Sequence, residues 1–376
     1  MKRRISPAPL KQWSEILTII SGKNQKNVKS DTGQYPIYGS GGIIGYATEY
    51  LCEAGTTIVG RKGTIDKPIF VNERFWNVDT AFGISPSDVL DAKYLYYFCR
   101  QFNFKKLDKS TTIPSLAKRD LLQIKMPVPP IMEQRRIVSR IEELFSKLDK
   151  GVETLQTIKQ QLAVYRQAVL TEAFEGIENT VELGSIASIV DPHPSHRTPV
   201  EVIGGVPYIG VGDIDYVHHV IDFSSARKVS NDILQDHLSR YTLHDGDFIM
   251  GKIGTIGKPF IIALPQNYTL SANVILIQPN KKVVIPKYLF WQVSSSQITK
   301  QLLEGSTSTT QPAFGIKKAR LLSIKICSLE EQNRIVQKIE SHLSLCDDIG
   351  QSVTAALSQA EAMRQSILKQ AFEGKL

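Results

Sequence analysis

The sequence predicts a mixed α+β chain with an internal two-fold repeat, in which a variable body is followed by a long coiled-coil helix and both then recur. Three observations predict this: residue blocks that return in the same order, offsets between them that drift and then become constant, and apolar stripes of coiled-coil spacing behind each body.

The first block, Gly55-Thr-Thr-Ile-Val-Gly-Arg-Lys-Gly-Thr-Ile-Asp-Lys-Pro68, matches Gly246-Asp-Phe-Ile-Met-Gly-Lys-Ile-Gly-Thr-Ile-Gly-Lys-Pro259 at eight of fourteen positions, at an offset of 191. Ala92-Lys-Tyr-Leu-Tyr96 pairs with Pro286-Lys-Tyr-Leu-Phe290 at 194, and Glu133-Gln-Arg-Arg-Ile-Val138 with Glu331-Gln-Asn-Arg-Ile-Val336 at 198. Ala173-Phe-Glu-Gly176 returns as Ala371-Phe-Glu-Gly374, again at 198. Drift within the bodies means loops of unequal length, and the constant offset behind them means a rod of fixed length. The boundaries follow: bodies at 1–132 and 177–329, rods at 133–176 and 330–376.

Within the bodies, Gly55–Val59, Asp247–Met250 and Thr269–Ile277 read as strands, while Lys93–Phe102 and Lys287–Val293 carry core aromatics at helical spacing. Neither body alternates strand and helix as a doubly wound sheet would. In the rods, Ile137, Ile141, Leu148, Leu155 and Leu162 form one stripe and Ile335, Ile339, Val353 and Ile367 the other. Two such stripes in one chain pair most simply as antiparallel helices. Pro127-Val-Pro-Pro130 precedes the first, Ser328 with Glu331 reads as a capping box for the second, and Gly176 and Gly374 stand where a left-handed C-terminal residue is wanted.

Of the 376 residues, 45 are Lys or Arg and 37 Asp or Glu, a net charge of +8. The excess lies in 1–132, which holds 19 basic and 11 acidic residues, whereas the rods are neutral to acidic. That split suits an anionic partner for the first body and protein partners for the rods. There is no apolar run of the roughly 18 residues that a membrane span needs, and Met1-Lys-Arg-Arg leads into no signal peptide. A cytoplasmic protein is expected. Cys52, Cys99, Cys327 and Cys346 lack metal-binding spacing and read as reduced core thiols.

Catalytic motifs fail on inspection. Gly246 to Lys252 imitates a phosphate-binding loop, but Ile253 stands where a hydroxyl should hold magnesium. Asp191-Pro-His-Pro194 falls short of a base-methylating tetrapeptide, and Asp91-Ala-Lys93 of a nuclease motif. The pairs His193/His196 and His218/His219 have no third ligand at a suggestive spacing and read as surface loop histidines. No catalytic residue and no metal site is expected.

Duplex DNA is gripped through phosphates by Lys and Arg on turns and loops. The candidates are Lys23, Lys26, Arg61, Lys62, Lys105 and Lys109 with Thr111 and Thr112 in the first body. In the second they are Arg197, Arg227, Lys252 and Lys317, with Thr307 and Thr309.

A body ending in Ile124-Lys-Met-Pro-Val-Pro-Pro130, then Glu133-Gln-Arg-Arg-Ile-Val138, a long helix and Ala173-Phe-Glu-Gly176, all repeated to Ala371-Phe-Glu-Gly-Lys-Leu376, resembles the DNA specificity subunit of type I restriction–modification systems. The Gly-Thr-Ile-x-Lys-Pro turns resemble that family's target recognition domains. The resemblance spans essentially the whole chain. It implies two target recognition domains, each reading half of a split asymmetric site, separated by two antiparallel helices that set the spacing and dock two methyltransferase subunits. Motor–nuclease subunits complete such complexes, S-adenosylmethionine belongs to the methyltransferases, and this chain binds no cofactor of its own. The alternatives are a stand-alone methyltransferase or nuclease with an unfamiliar motif, and a coiled-coil scaffold with no role on DNA.

Overall fold

A computed structural model describes residues 8–195, 197–216, 218–253, 256–304 and 314–376. They form two compact units, Met1–Thr157 with Val353–Leu376, and Ile158–Ser352.

The first unit contains β1 (Leu10–Gln12), α1 (Trp13–Ile16), β2 (Leu17–Ser21), β3 (Tyr35–Gly39), β4 (Gly42–Ala47), β5 (Thr56–Gly60), β6 (Ile69–Val71), β7 (Trp76–Asn77) and β8 (Ala81–Pro86). After these come α2 (Ala92–Gln101), α3 (Lys118–Leu121), β9 (Lys125–Pro127) and the long α4 (Ile131–Ala173), whose residues to Thr157 lie in this unit. An antiparallel sheet runs β2-β8-β5-β6, a smaller one β4-β3-β7 with β3 and β7 parallel, and β1 pairs with β9. Strand β5, Thr-Thr-Ile-Val-Gly, is buried at every position, as its uninterrupted β-branched run requires. Helix α2 starts where the Asp91 carboxylate accepts from the amides of Lys93 (3.0 Å) and Tyr94 (3.1 Å). Its Tyr94, Leu95 and Phe98 face Trp13 and Phe104 in the core, which α4 closes with Ile137, Ile141 and Phe145 and the C-terminal segment with Leu368 and Ala371.

The second unit repeats this frame. It contains β10 (Thr180–Glu182), α5 (Leu183–Ile186), β11 (Ala187–Val190), β12 (Val206–Ile209), β13 (Ile214–Asp215), β14 (Val220–Ile221), β15 (Lys228–Val229), α6 (Asn231–Arg240), β16 (Phe248–Gly251), β17 (Pro259–Ile261), β18 (Thr269–Leu270) and β19 (Val274–Pro279). Then follow α7 (Pro286–Val293), α8 (Ser296–Glu304), α9 (Ile316–Arg320), β20 (Ser323–Lys325) and α10 (Leu329–Phe372). The sheet order β11-β19-β16-β17 reproduces β2-β8-β5-β6, and β12 runs parallel to β18 as β3 does to β7. The expected strand Thr269–Ile277 is a correction: it breaks at Ser271–Asn273 into β18 and β19, which serve different sheets. Serine and asparagine there bond locally, the Ser271 hydroxyl accepting from the Asn273 amide at 3.2 Å.

Body and helix are joined by the same device twice. Gln134, fully buried, accepts from the Asp91 amide (2.8 Å) and donates to the carbonyls of Val89 (2.9 Å) and Pro129 (2.8 Å). Its counterpart Gln332 accepts from the Ile285 amide (2.8 Å) and donates to Val283 (3.1 Å) and Cys327 (2.9 Å). The Tyr94 hydroxyl donates to the Pro127 carbonyl and that of Tyr288 to Lys325, each at 3.0 Å. Lys93 pairs with Glu142, and Lys287 with Glu340, both at 2.6 Å. The Phe of each Ala-Phe-Glu-Gly block packs on the opposite repeat's body: Phe372 lies 4.9 Å from Tyr94, and Phe174 lies 5.4 Å from Tyr288. Each body is therefore held by the start of its own helix and the end of the other.

In the first unit, Arg364 bonds Asp149 across the helix pair. In the second, Tyr165 bonds His342 (3.0 Å) and Arg166 bonds Asp347, while Glu172, further along α4, bonds Lys338, earlier on α10 (2.9 Å), so the pairing is antiparallel. Of the seam residues, Ile137, Ile141, Ile335, Ile339 and Val353 are buried. Leu148, Leu155, Leu162 and Ile367 are half-buried, because two helices alone enclose only one side of such a residue. Leu368 is buried in the first unit's core, and Ile367 packs against its margin. Gly176 (φ 76°) and Gly374 (φ 69°) end the helices in the left-handed conformation. At the start of α10 the Ser328 hydroxyl accepts from the Glu331 amide (3.2 Å) while the Glu331 carboxylate turns to Arg334, so the capping box is half formed.

Candidate nucleic-acid interface

In the first body the Gly60–Lys67 turn leaves β5 with its backbone tied to the segment before α3. The Leu116 amide donates to the Arg61 carbonyl and the Gly63 amide to the Pro114 carbonyl, both at 2.9 Å. A side chain at Gly60 would place Cβ 1.9 Å from the Thr64 carbonyl oxygen, so only glycine fits the turn. The result is an open groove of about 450 Å³ lined by Ser21, Arg61, Lys62, Phe82, Ser115, Leu116, Ala117, Lys118 and Arg119. The Arg61 guanidinium lies 5.7 Å over the Phe82 ring, and the Lys118 ammonium donates to the Ile19 carbonyl at 2.7 Å. Lys62 and Arg119 are exposed. Four cations thus line one concave surface, with serine hydroxyls between them.

Arg61 and Lys62 are expected residues that the structure brings together; Lys118 and Arg119 were missed, although the dibasic pair opening α3 was a visible signal. Lys105 and Lys109 pair with Asp66 (2.8 Å) and Asp120 (3.0 Å), and the Lys105 ammonium holds the Asp66 carboxyl below the usual carboxylate range. Solvent screens exposed pairs of this kind, so a phosphate can compete for these lysines. Thr111 and Thr112 are exposed beside them. Lys23 and Lys26 are exposed but outside the groove lining.

The second body repeats the backbone tie, the Phe314 amide donating to the Lys252 carbonyl at 2.9 Å as Leu116 does to Arg61. Its side chain is a correction: Lys252 is 6% exposed, its ammonium 3.0 Å from the Asp191 carboxylate, and it presents no charge to solvent. The string Asp191-Pro-His-Pro194 supplies that counter-ion. A smaller polar pocket of about 290 Å³ is lined by Thr198, Tyr208, Gly210, Asp213, Arg227, Ser271 and Asn273 among others. Arg227 is steadied by the Pro199 carbonyl (3.4 Å) and Glu201 (3.8 Å). Arg197 and Lys317 are exposed; Thr307, Thr309 and His196 lie outside the described residues.

His193 is a further correction, because it is buried rather than a surface loop residue. Its Nδ1 lies 2.9 Å from His237 Nε2 and its Nε2 2.9 Å from the Arg197 carbonyl, while His237 Nδ1 faces the Thr269 hydroxyl. Burial, with His193 alongside, pulls the His237 pKa down to about 4, so His237 is neutral near pH 7, and the His193–His237 contact pins the Arg197 loop to α6. Asp91 and Lys93, the nuclease-like string, serve as helix cap and ion pair instead. Cys52, Cys99, Cys327 and Cys346 are all free thiols, and burial pushes the Cys52 thiol up to about 12.

Known proteins share the whole plan. A chain from the type I R-M system, solved in work on complex assembly and conformational transition, superposes with a TM-score of 0.74 at 16% identity over 99% of both chains. The HsdS subunit of Thermoanaerobacter tengcongensis gives 0.56 at 15% identity, covering 100% of this chain and 99% of that one. A putative type I restriction enzyme specificity subunit of Haemophilus influenzae is 23% identical, covering 93% of this chain and 91% of its own length. The EcoBI specificity subunit of Escherichia coli is 26% identical over 71% of this chain, and the match spans only 61% of that relative. The family model described as the type I restriction modification DNA specificity domain matches at residues 10–163 and again at 178–359, and the chain belongs to that family.

Proposed function

We propose that each body reads one half of a split, asymmetric duplex site, and that the paired helices set the unread gap and dock two methyltransferase subunits. Motor–nuclease subunits join the same complex, and S-adenosylmethionine is held by the methyltransferases. The chain is the recognition subunit and supplies no catalytic group. The observation that carries this reading is one frame built twice, with the same helix joint in each copy and different exposed elements on each body. Apolar residues left exposed on the helices, Met132 and Met363 in the first unit and Val164 and Leu345 in the second, suit protein docking. Among the described residues, no helix is long and apolar enough to cross a membrane.

Two measurements test it. With the complex on its cognate duplex, replacing Arg61, Lys62 and Arg119 by glutamine flattens the plot of log affinity against log salt by about 0.9 for each phosphate no longer neutralised; an unchanged slope places the duplex elsewhere. Inserting four residues, about one turn, near the middle of α4 changes the gap in the modified site and leaves both half-sites as they were. Altered half-sites would refute the division of labour, and methyl transfer by the purified chain alone would favour an enzyme instead.

A further inference from the structure

Two bodies that share a frame yet read different sequences must read with the parts that differ. This step rests on the reading above, and the internal repeat makes the comparison possible within one chain. The four-stranded sheets, the backbone ties just after β5 and β16 and the helix joints are common to both. The small sheets are not: β3 pairs antiparallel with its immediate successor β4 as a hairpin, whereas β12 pairs with β15 across an excursion that contains β13 and β14.

The hairpin is unusual for a surface element. Its strand β4, Gly-Ile-Ile-Gly-Tyr-Ala, lies at the sheet edge and leaves Ile43 52%, Ile44 50% and Tyr46 48% exposed. An uncharged apolar edge strand invites aggregation unless something covers it. Gly41 and Gly42 at the tip have open space around them, so the tip is slender. It also stands beside the cationic groove. The Thr80 carbonyl accepts from the Arg61 (2.8 Å) and Lys62 (3.2 Å) amides, a Cβ on Gly39 would lie 3.8 Å from the Thr80 hydroxyl, and one on Gly63 would lie 3.6 Å from the Ser40 hydroxyl.

We infer that the Ile43–Ile44 tip enters the major groove of the first half-site and reads thymine through its 5-methyl group. A two-stranded ribbon fits that groove, and the thymine methyl is its apolar feature. The flanking cations then fall on phosphates, which fix position without reading sequence. Charge beside the tip selects a duplex over a protein as occupant.

The test uses the chain assembled with its methyltransferase subunits. Mapping modified bases in a host that expresses them gives the two half-sites, and duplexes are then made with uracil replacing each thymine in turn. At one or two positions of the first half-site, uracil should weaken binding by the unaltered complex about 3–10-fold. The I43S/I44S complex should bind the thymine duplex about 10-fold more weakly, lose the uracil effect at those positions, and keep the unaltered salt slope and unfolding transition. A first half-site without thymine, an undiminished uracil effect in I43S/I44S, or failure of I43S/I44S to assemble with the methyltransferase would overturn the inference. Single I43S and I44S chains keep it open to refutation should the double variant unfold. No salt-dependent duplex binding by the unaltered complex would instead refute the underlying function.

Discussion

A Gln134→Leu chain is expected to lose about 6–12 °C from the unfolding transition of its first unit and almost nothing from the second. Leucine fills the same space but leaves the Asp91 amide and the carbonyls of Val89 and Pro129 without partners. Each buried polar group so stranded costs about 1–3 kcal/mol, hence about 3 kcal/mol or more in all. At about 2–4 °C per kcal/mol for units of this size, the stated shift follows. Gln332→Leu should produce the mirror result through Ile285, Val283 and Cys327. Scanning calorimetry of the two variants distinguishes this from a general loss of stability: if both lower the same transition, the joint is not local to each unit.

The second large effect concerns a fragment that begins at Ile177. It keeps the second body but loses Leu170 and Phe174, which that body's core requires. It also bares Leu368 and Phe372, which stand at the matching positions 198 residues later and no longer have the first body to cover. Two copies can therefore satisfy each other, the helix end of each closing the core of its partner, in a two-fold arrangement. Light scattering should report a dimer. Phe372→Ala, removing a half-buried ring at each of the two equivalent contacts, should weaken that dimer by about 4 kcal/mol, on the order of 1,000-fold. A fragment that stays monomeric and folded would show that the helix ends are dispensable.

The frame was legible because it is written twice. Glu-Gln, Lys-Tyr-Leu and Ala-Phe-Glu-Gly recur at fixed places, and the structure assigns them the joint. What escaped the sequence depends on partners far along the chain. Lys252 looked like its counterpart Arg61 until Asp191 folded against it, and His193 looked exposed until α6 brought His237 beside it. The opening motif β1-α1-β2 recurs as β10-α5-β11 at an offset of 170, but few side chains are shared, because a strand–turn–strand needs only alternation and burial. The helix stripes were found in register, yet the leucines that bury fully are those which also meet a body, such as Leu368 and Leu170, and a one-dimensional pattern cannot show which those are.

The joint has a consequence for descent. Gln134, Gln332 and Tyr94 bond main-chain atoms of the body, as does Tyr288, whose hydroxyl also accepts from the Cys327 thiol at 3.7 Å. Main-chain groups carry no memory of sequence, so the residues of a body can drift, or a whole body be exchanged by recombination at the repeated blocks, while the grip of the helix on it persists. The anchorage is inherited and the reading surface is free to change, which is the condition under which new specificities arise without a new fold.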